Sequence, residues 1–272
     1  MVSLFSCPVC GQPLLNEQVL LRCPSGHSFD FSKYHYVNLF LSNQSSDKRH
    51  GDDRTMVLSR KSFLDAGYYE PLQEAVCRTL AEVLPGNAKL LDVGCGEGYY
   101  TAAMANALPN AEIAGVDLSR DALRQAAKRE PRLQLAVASA ARLPASAASF
   151  DALTCLFAPL EAGEFARVLR PGGYFLRAVV LEDHLMGLKE AVYDRPIPNP
   201  APADPIPGFT LISRQDLRYS LSLTDPDSIQ SLFRMTPYYY KTGRADQEKL
   251  EHLTALETQI AFRILLYTVD AA

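Results

Sequence analysis

Residues 89–108, KLLDVGCGEGYYTAAMANAL, limit the possible folds more than any other stretch of the chain. LLDV is a short, mostly apolar run that suits a strand buried on both faces. Gly94, Gly96 and Gly98 follow at alternate positions and make a tight turn into a helix. Such a turn lets a ligand approach the backbone and offers it the unpaired N–H groups of the helix start. AEIAGVD is a second strand, ending in Asp117, 19 residues after Gly98. An acidic side chain at that offset can accept hydrogen bonds from both ribose hydroxyls of a nucleoside cofactor. Ser119 caps a helix running to Arg129. LQLAVAS, FDALTCLF and GYFLRAVVL are further strands, the last entered through LRPGG. Strands alternating with helices predict a parallel, doubly wound sheet with its ligands at the carboxyl ends of the strands. The spacing G-x-G-x-G departs from the G-x-G-x-x-G of NAD enzymes.

Around this unit the reading is coarser. Apolar residues at helical spacing predict a helix from Pro71 to Leu84, stopped by Pro85-Gly86. Residues 193–209 are too proline-dense for helix or central strand and read as a semi-rigid flap near the cleft. RYSLSLT and QIAFRILLYTV suit a closing strand pair, with Asp225-Pro226 starting a helix between them. Residues 41–61 read as a polar linker running into a helix. They hold Lys48, Arg49, His50, Arg54, Arg60 and Lys61, the most basic cluster in the chain.

The first thirty residues need a different explanation. Cys7, Cys10, Cys23 and His27 form the pattern C-x2-C-x12-C-x3-H, with proline and glycine beside each pair. That spacing suits a tetrahedral Cys3His zinc site, closed by four protein ligands and therefore structural. About forty residues bury too little apolar surface to stay folded alone, so the metal supplies the missing stability. Phe29, Phe31, Tyr34, Tyr36 and Phe40 follow, and core packing beneath the knuckle is their default role. The other three cysteines fall in expected buried strand or helix. This argues against a disulfide framework and for a reducing cytoplasm. No apolar run is long enough to span a membrane, and no secretory signal is expected. The formal net charge of −4 does not advertise nucleic-acid binding. Residues 1–62 nevertheless carry seven Lys/Arg against five Asp/Glu.

LLDVGCGEG, GVDLS, ASAARLP, FDALTCLF and VLRPGG, in that order, resemble the motifs of class I S-adenosylmethionine-dependent methyltransferases. CPVCGQPL, CPSGHSFDFSK, YVNLF, the GDD turn and RKSFLDAGYYEPL resemble the bacterial 23S ribosomal RNA guanine-N1 methyltransferases, the RlmA family. HLMGLKEAVY and MTPYYYK extend that likeness over nearly the whole chain. The resemblance implies a mostly parallel, seven-stranded, Rossmann-like sheet with a small N-terminal zinc-binding module. It also implies methyl transfer from S-adenosylmethionine to a guanine in a hairpin of 23S ribosomal RNA. The implied domains are a zinc-binding, RNA-recognition module at 1–40, a basic linker and helix start at 41–67, and a methyltransferase domain at 68–272.

By the same resemblance Cys7, Cys10, Cys23 and His27 hold zinc, and Tyr69, Gly96, Glu97 and His184 contact the cofactor. Gly94 and Gly98 belong to the same turn, Asp117 serves the ribose, and a homodimer is compatible with the family. The chain departs from the family at three places. His35 stands where relatives have glycine, Cys155-Leu156-Phe157-Ala158-Pro159 replaces Arg-Ile-Tyr-Ala-Pro, and Tyr240 replaces a tryptophan.

Guanine N1 is protonated at neutral pH, so a base would help. Glu182, Asp183 and His184 lie beyond the fifth strand, but the sequence does not identify a base among them, and His184 reads better as a cofactor contact. Thr154-Cys155 superficially resembles the nucleophile site of cytosine-C5 methyltransferases, yet a strand cysteine normally packs as a small apolar residue. The rival readings are a small-molecule methyltransferase and a noncatalytic RNA-binding protein that kept the fold. The zinc module argues against the first, and the intact glycine turn with Asp117 against the second. A basic linker lining a cleft for RNA is the remaining expectation.

Overall fold

The computed structural model describes residues 2–41, 51–202 and 205–270. It opens with a small antiparallel sheet of β1 (Val2–Ser6), β2 (Pro13–Asn16), β3 (Leu20–Arg22) and β4 (Ser28–Asp30), neighbours in chain order. The β2–β3 hairpin occupies the stretch between the two cysteine knuckles, with Leu15 opposite Arg22. Leu14 and Leu21 are buried beside Phe5, and Phe29 and Phe31 pack on the same cluster. These aromatics therefore serve the core.

The rest of the chain runs in the order α1 (Arg54–Asp65), α2 (Glu70–Val83), β6 (Lys89–Val93), α3 (Tyr99–Ala107), β7 (Glu112–Asp117), α4 (Arg120–Arg129) and β8 (Gln134–Val137). β9 (Phe150–Leu156), α5 (Ala162–Val168), β10 (Leu169–Val180), α6 (Met186–Val192) and β11 (Phe209–Leu223) follow. α7 (Pro226–Arg234), α8 (Tyr238–Lys241), α9 (Arg244–Glu251) and β12 (Leu256–Val269) complete it. The large sheet has the spatial order β11-β12-β10-β9-β6-β7-β8, extended by one further strand, β5 (Tyr36–Asn38). β12 runs antiparallel to both its neighbours, and the other pairs are parallel.

The seven expected strands are present. The eighth comes from the N-terminal segment, with Tyr36, Val37 and Asn38 opposite Leu135, Ala136 and Val137. Without it β8 would expose a row of unpaired backbone groups, so β5 covers an otherwise sticky edge. His35 reaches this strand through a left-handed φ of +64°. That is the position where the family resemblance leads one to expect glycine, which adopts this conformation without strain.

Local signals place the helices. Ser119 accepts from Ala122 N and caps α4, and Asp225 accepts from Ser228 N ahead of Pro226 and caps α7. Asp53 does the same for α1 through Met56 N. In β6, Leu90 faces one buried cluster with α2 and α3, while Leu91 and Val93 face the other, which also contains the zinc-module core. The module is thus joined to one face and one edge of the large sheet. Two further contacts fix it there: Gln134 Oε1 accepts from Ser3 Oγ and Leu4 N, both at 2.9 Å, and Ser6 N donates to Pro144 O at 2.8 Å. No described helix is long and apolar enough to cross a membrane.

Candidate functional site

Two knuckle turns bring the four expected metal ligands together. Gly11 N bonds back to Cys7 O at 2.8 Å, and Gly26 N to Cys23 O at 2.9 Å. The donor atoms of Cys7, Cys10, Cys23 and His27 all lie within 4.8 Å of one another. Cys10 Sγ is 3.7 Å from Cys23 Sγ, and Cys23 Sγ is 3.3 Å from His27 Nδ1. A tetrahedron built on zinc–sulfur bonds of ~2.3 Å has edges of ~3.8 Å. The donor set and spacing therefore fit zinc, with His27 binding through Nδ1. Four protein ligands leave no open position, so the ion would be structural. The three remaining cysteines, Cys77, Cys95 and Cys155, are unpaired.

The second site lies at the carboxyl ends of β6 and β7. Gly94, Gly96 and Gly98 all have left-handed φ values of +76°, +56° and +80°. They differ in what surrounds them. A Cβ on Gly94 would sit 2.5 Å from Ala158 Cβ, and one on Gly98 would sit 2.9 Å from Ala126 Cα. A Cβ on Gly96 would meet nothing within 4 Å. Gly94 and Gly98 thus let the turn pack against the segment just after β9 and against α4, and of the three only Gly96 faces open space where a ligand can approach.

Asp117 is the organising acid of this turn. Its Oδ2 accepts from Gly96 N at 2.9 Å and its Oδ1 from Ser119 N at 2.7 Å. Burial raises its pKa against the opposing effect of these two bonds. Beneath it, Asp92 accepts from Thr101 Oγ1 at 2.6 Å and Thr154 Oγ1 at 2.7 Å, and burial pushes it up to about 6. Glu97 is buried, which raises its pKa, and Arg60 acts against that shift. Asp52, Glu97 and Asp117 all act on Arg60, which pairs directly with Asp52 and donates to Met235 O at 3.2 Å. This acid-rich surround suits a ligand carrying a positive sulfonium and ammonium, and the open space over Gly96 suits its approach. S-adenosylmethionine fits both.

Tyr69 and His184 meet on the same side of the sheet. Ala261 N donates to His184 Nδ1 at 3.2 Å, so the ring proton sits on Nε2, which faces Tyr69 Oη at 3.5 Å. The imidazole is only 4% exposed and packs on Phe262 at 4.6 Å. Burial, helped by the Lys189 charge, drives its pKa down to about 3. His184 is therefore a fixed neutral ring and unsuited to take up a proton.

Sequence reasoning missed the device that holds it. Asn199, in the proline-rich segment, donates from Nδ2 to Leu181 O and His184 O, both at 3.0 Å. Its Oδ1 accepts from Lys189 Nζ at 2.7 Å and Tyr238 Oη at 2.9 Å. This part of residues 193–209 is a clamp on the His184 turn. Cys155 is fully buried, with burial pushing its thiol up to about 12, and it donates to Ala158 O at 3.4 Å. It is a packing residue and not a nucleophile.

The expected basic linker is corrected in part. Lys48, Arg49 and His50 lie outside the described residues. Arg60 is turned inward to the acids named above, and Lys61 pairs with Asp65 one helical turn on; neither is a free cation for RNA. Arg54 is exposed at the start of α1. Cations gather instead around Tyr34: Lys33 Nζ, Arg124 Cζ and Lys128 Nζ lie 5.2, 4.6 and 5.7 Å from its ring centre. Arg124 has Asp121 at 3.9 Å, while Lys33 and Lys128 have no carboxylate partner among the described residues. A groove lined by Lys61, Gln125, Lys128 and Arg129 continues this face. Arg129 Nε reaches Glu97 O at 3.3 Å, which joins the face to the glycine turn.

Known proteins resemble both parts of the chain. Residues 5–46 match the family model described as "RlmA, N-terminal", and residues 90–173 match "Methyltransferase domain". The chain is 37% identical over 201 residues to a putative 23S rRNA (guanine-N(1)-)-methyltransferase of Micromonospora griseorubida, covering 67% of each chain. It is 34% identical to the 23S rRNA (guanine(748)-N(1))-methyltransferase of Streptomyces fradiae, over 70% of this chain and 68% of that one. A Bacillus subtilis (strain 168) relative with a putative name of the same kind is 29% identical over 97% of this chain and 96% of its own. Among solved structures, the YcgJ protein of B. subtilis superposes with a TM-score of 0.51 at 15% identity, over 74% of this chain and 98% of its own, which supports the fold alone.

Proposed function

This chain belongs to the family of 23S rRNA guanine-N1 methyltransferases, and from that premise we propose that it methylates N1 of a guanine in a hairpin loop of 23S ribosomal RNA. The observation that carries the reading is the physical union of two parts. A Cys3His knuckle is annealed through β5 and Gln134 to the same sheet that presents Gly96 and Asp117. A small-molecule methyltransferase needs the second part only.

When bound, S-adenosylmethionine supplies a methyl group already activated on a sulfonium. The protein's work is then mostly positioning. Gly96 would leave room for the cofactor, and Asp117 would accept hydrogen bonds from its ribose hydroxyls. Glu97 and Asp92 add negative charge, and the Tyr69–His184 pair gives one wall a fixed orientation. The guanine must leave its stack to reach this edge, which is easier in a loop than in a duplex. Its N1 proton must also leave. His184 has its lone pair engaged and Asp183 is paired with Arg218. Glu182, exposed and without a side-chain partner among the described residues, is the carboxylate on that turn able to accept the proton.

The zinc module with the Tyr34 face would hold RNA phosphates, because Lys33, Arg124 and Lys128 converge there. We place the reaction in the cytoplasm, where the RNA substrate and reduced thiols coexist. The test is transfer of labelled methyl from S-adenosylmethionine to a transcribed 23S hairpin by the purified chain. Label in RNA as 1-methylguanosine supports the reading. Label in small molecules only, with RNA unmodified, would return the rival.

A further inference from the structure

Phe157 is out of keeping with its surroundings. It is the first residue beyond β9, at the carboxyl edge of the parallel strands, and it is 43% exposed. Of the exposed large apolar side chains described, it alone directly follows a strand of that edge. Its φ is +63°, a left-handed conformation that disfavours any side chain bearing a Cβ. Strained non-glycine residues of this kind persist only where the surroundings over-determine them, and they cluster at functional sites.

The surroundings here do so. Phe157 N donates to Ala178 O at 3.1 Å, which ties it to β10. Cys155 Sγ pins the two following carbonyls, Ala158 O at 3.4 Å and Pro159 O at 3.6 Å. On the other side, Gly94 has no Cβ, and one would sit 2.5 Å from Ala158 Cβ. The turn that presents Phe157 is thus wedged against the cofactor turn. The ring is supported at its back: Phe262 lies 5.2 Å away, and Phe262 in turn contacts His184 at 4.6 Å and Tyr69 at 4.9 Å. Phe157 is the exposed end of a buried aromatic chain running through the candidate cofactor residues.

We propose that Phe157 is the platform on which the extruded guanine stacks, fixing the plane of its ring so that N1 faces the methyl donor. The inference rests on the guanine-N1 reading above. An aromatic ring held from behind and open in front matches a base taken out of its stack, since every base offers a π-face. No charged group is needed for this contact, which fits a site whose nearest charges serve the cofactor.

The chain contains no tryptophan, so Phe157→Trp installs a lone indole at the platform, excited selectively at the red edge where the tyrosines do not absorb. Titrating a 23S hairpin into this variant with S-adenosylhomocysteine present should quench its emission saturably. The same hairpin with an abasic site at the target guanine should bind without quenching. Phe157→Ala should lower kcat/KM for RNA roughly ten- to hundredfold, the range expected for one lost stacking contact. Its affinity for S-adenosylmethionine by calorimetry should stay at the wild-type value, and Phe157→Tyr should restore most of the rate. Equal quenching by the intact and abasic hairpins would overturn the proposal. Wild-type RNA kinetics in Phe157→Ala would overturn it too, as would a fall in cofactor affinity that matches the loss of rate. Each of these leaves RNA methylation by the wild type standing. Failure of the wild type to methylate the hairpin would strike the functional reading itself, and the platform with it.

Discussion

Lowering the pH from 7.5 to 5 should destabilise this fold by about 2 kcal/mol through His184 alone. In the folded chain its imidazole has a pKa of about 3, because burial disfavours the charged ring. In the unfolded chain the value returns to about 6.5. The unfolded state therefore binds a proton that the folded state refuses, and stability rises with pH across this interval. The contribution is complete above pH 6.5 and is lost as pH falls from there towards 3. Each pH unit is worth about 1.4 kcal/mol, and pH 5 lies about 1.5 units below the unfolded value, which yields about 2 kcal/mol. Carboxylates and zinc thiolates also titrate in acid, so the comparison must be made against a variant. His184→Asn keeps an acceptor for Ala261 N but cannot be protonated. Urea unfolding of both proteins at pH 7.5, 6 and 5 should show the variant less stable at pH 7.5, from lost packing on Phe262, with a gap that narrows by about 2 kcal/mol at pH 5. A gap that stays constant would mean that His184 is not held neutral, and its place as a fixed wall of the site would fall.

Other perturbations separate the parts of the molecule. Cys7→Ala or Cys23→Ser should release one zinc per chain and speed amide exchange in β1–β4 and also in β8, whose edge β5 covers, while cofactor affinity holds; absence of zinc by elemental analysis in chelator-free protein would contradict this. Gly94→Ala and Gly98→Ala should each cost about 2–3 kcal/mol of stability, from overpacking plus left-handed strain. Gly96→Ala should cost only about 1 kcal/mol in denaturant unfolding yet lose cofactor affinity by calorimetry. Arg60→Glu should cost about 3 kcal/mol and weaken the cofactor, because it leaves Asp52, Glu97 and Asp117 uncompensated. Lys33→Glu with Lys128→Glu should instead raise KM for RNA and flatten its salt dependence at unchanged cofactor affinity; unchanged RNA kinetics over a salt series would remove this face from the RNA path.

What the sequence made legible was local. Ser119, Asp225-Pro226 and the glycine turn sit where short-range rules put them, because a cap or a tight turn is settled within a few residues. The Cys3His set was equally readable, since its spacing encodes its geometry. The misses are long-range. Nothing within residues 36–38 says that they will pair with residues 135–137, a contact set by the need to cover an edge. Arg60 reads as a solvent-facing cation in a basic stretch, but its fate depends on acids 8 residues before it and 37 and 57 after it in the chain. Gly94 and Gly98 look identical to Gly96 in sequence, and only the positions of Ala158 and Ala126 distinguish packing glycines from the one that faces open space. Asn199 hides in a proline-rich run whose composition predicts a loop and conceals a clamp.

The central claim is that this chain places a methyl group on guanine N1 in 23S rRNA, and the most direct test is to find that methyl. A methyl at N1 blocks the Watson–Crick edge, so it arrests reverse transcription beside the modified base. Ribosomal RNA from a strain lacking the protein should be compared with RNA from the same strain carrying the wild-type chain or the Gly96→Val variant, by primer extension over 23S hairpin loops and by mass spectrometry of the nucleosides. One arrest site and 1-methylguanosine are expected with the wild-type chain, and neither in the deletion strain or with Gly96→Val. Identical RNA in all three strains, or a methyl restored at a position other than N1, would contradict it.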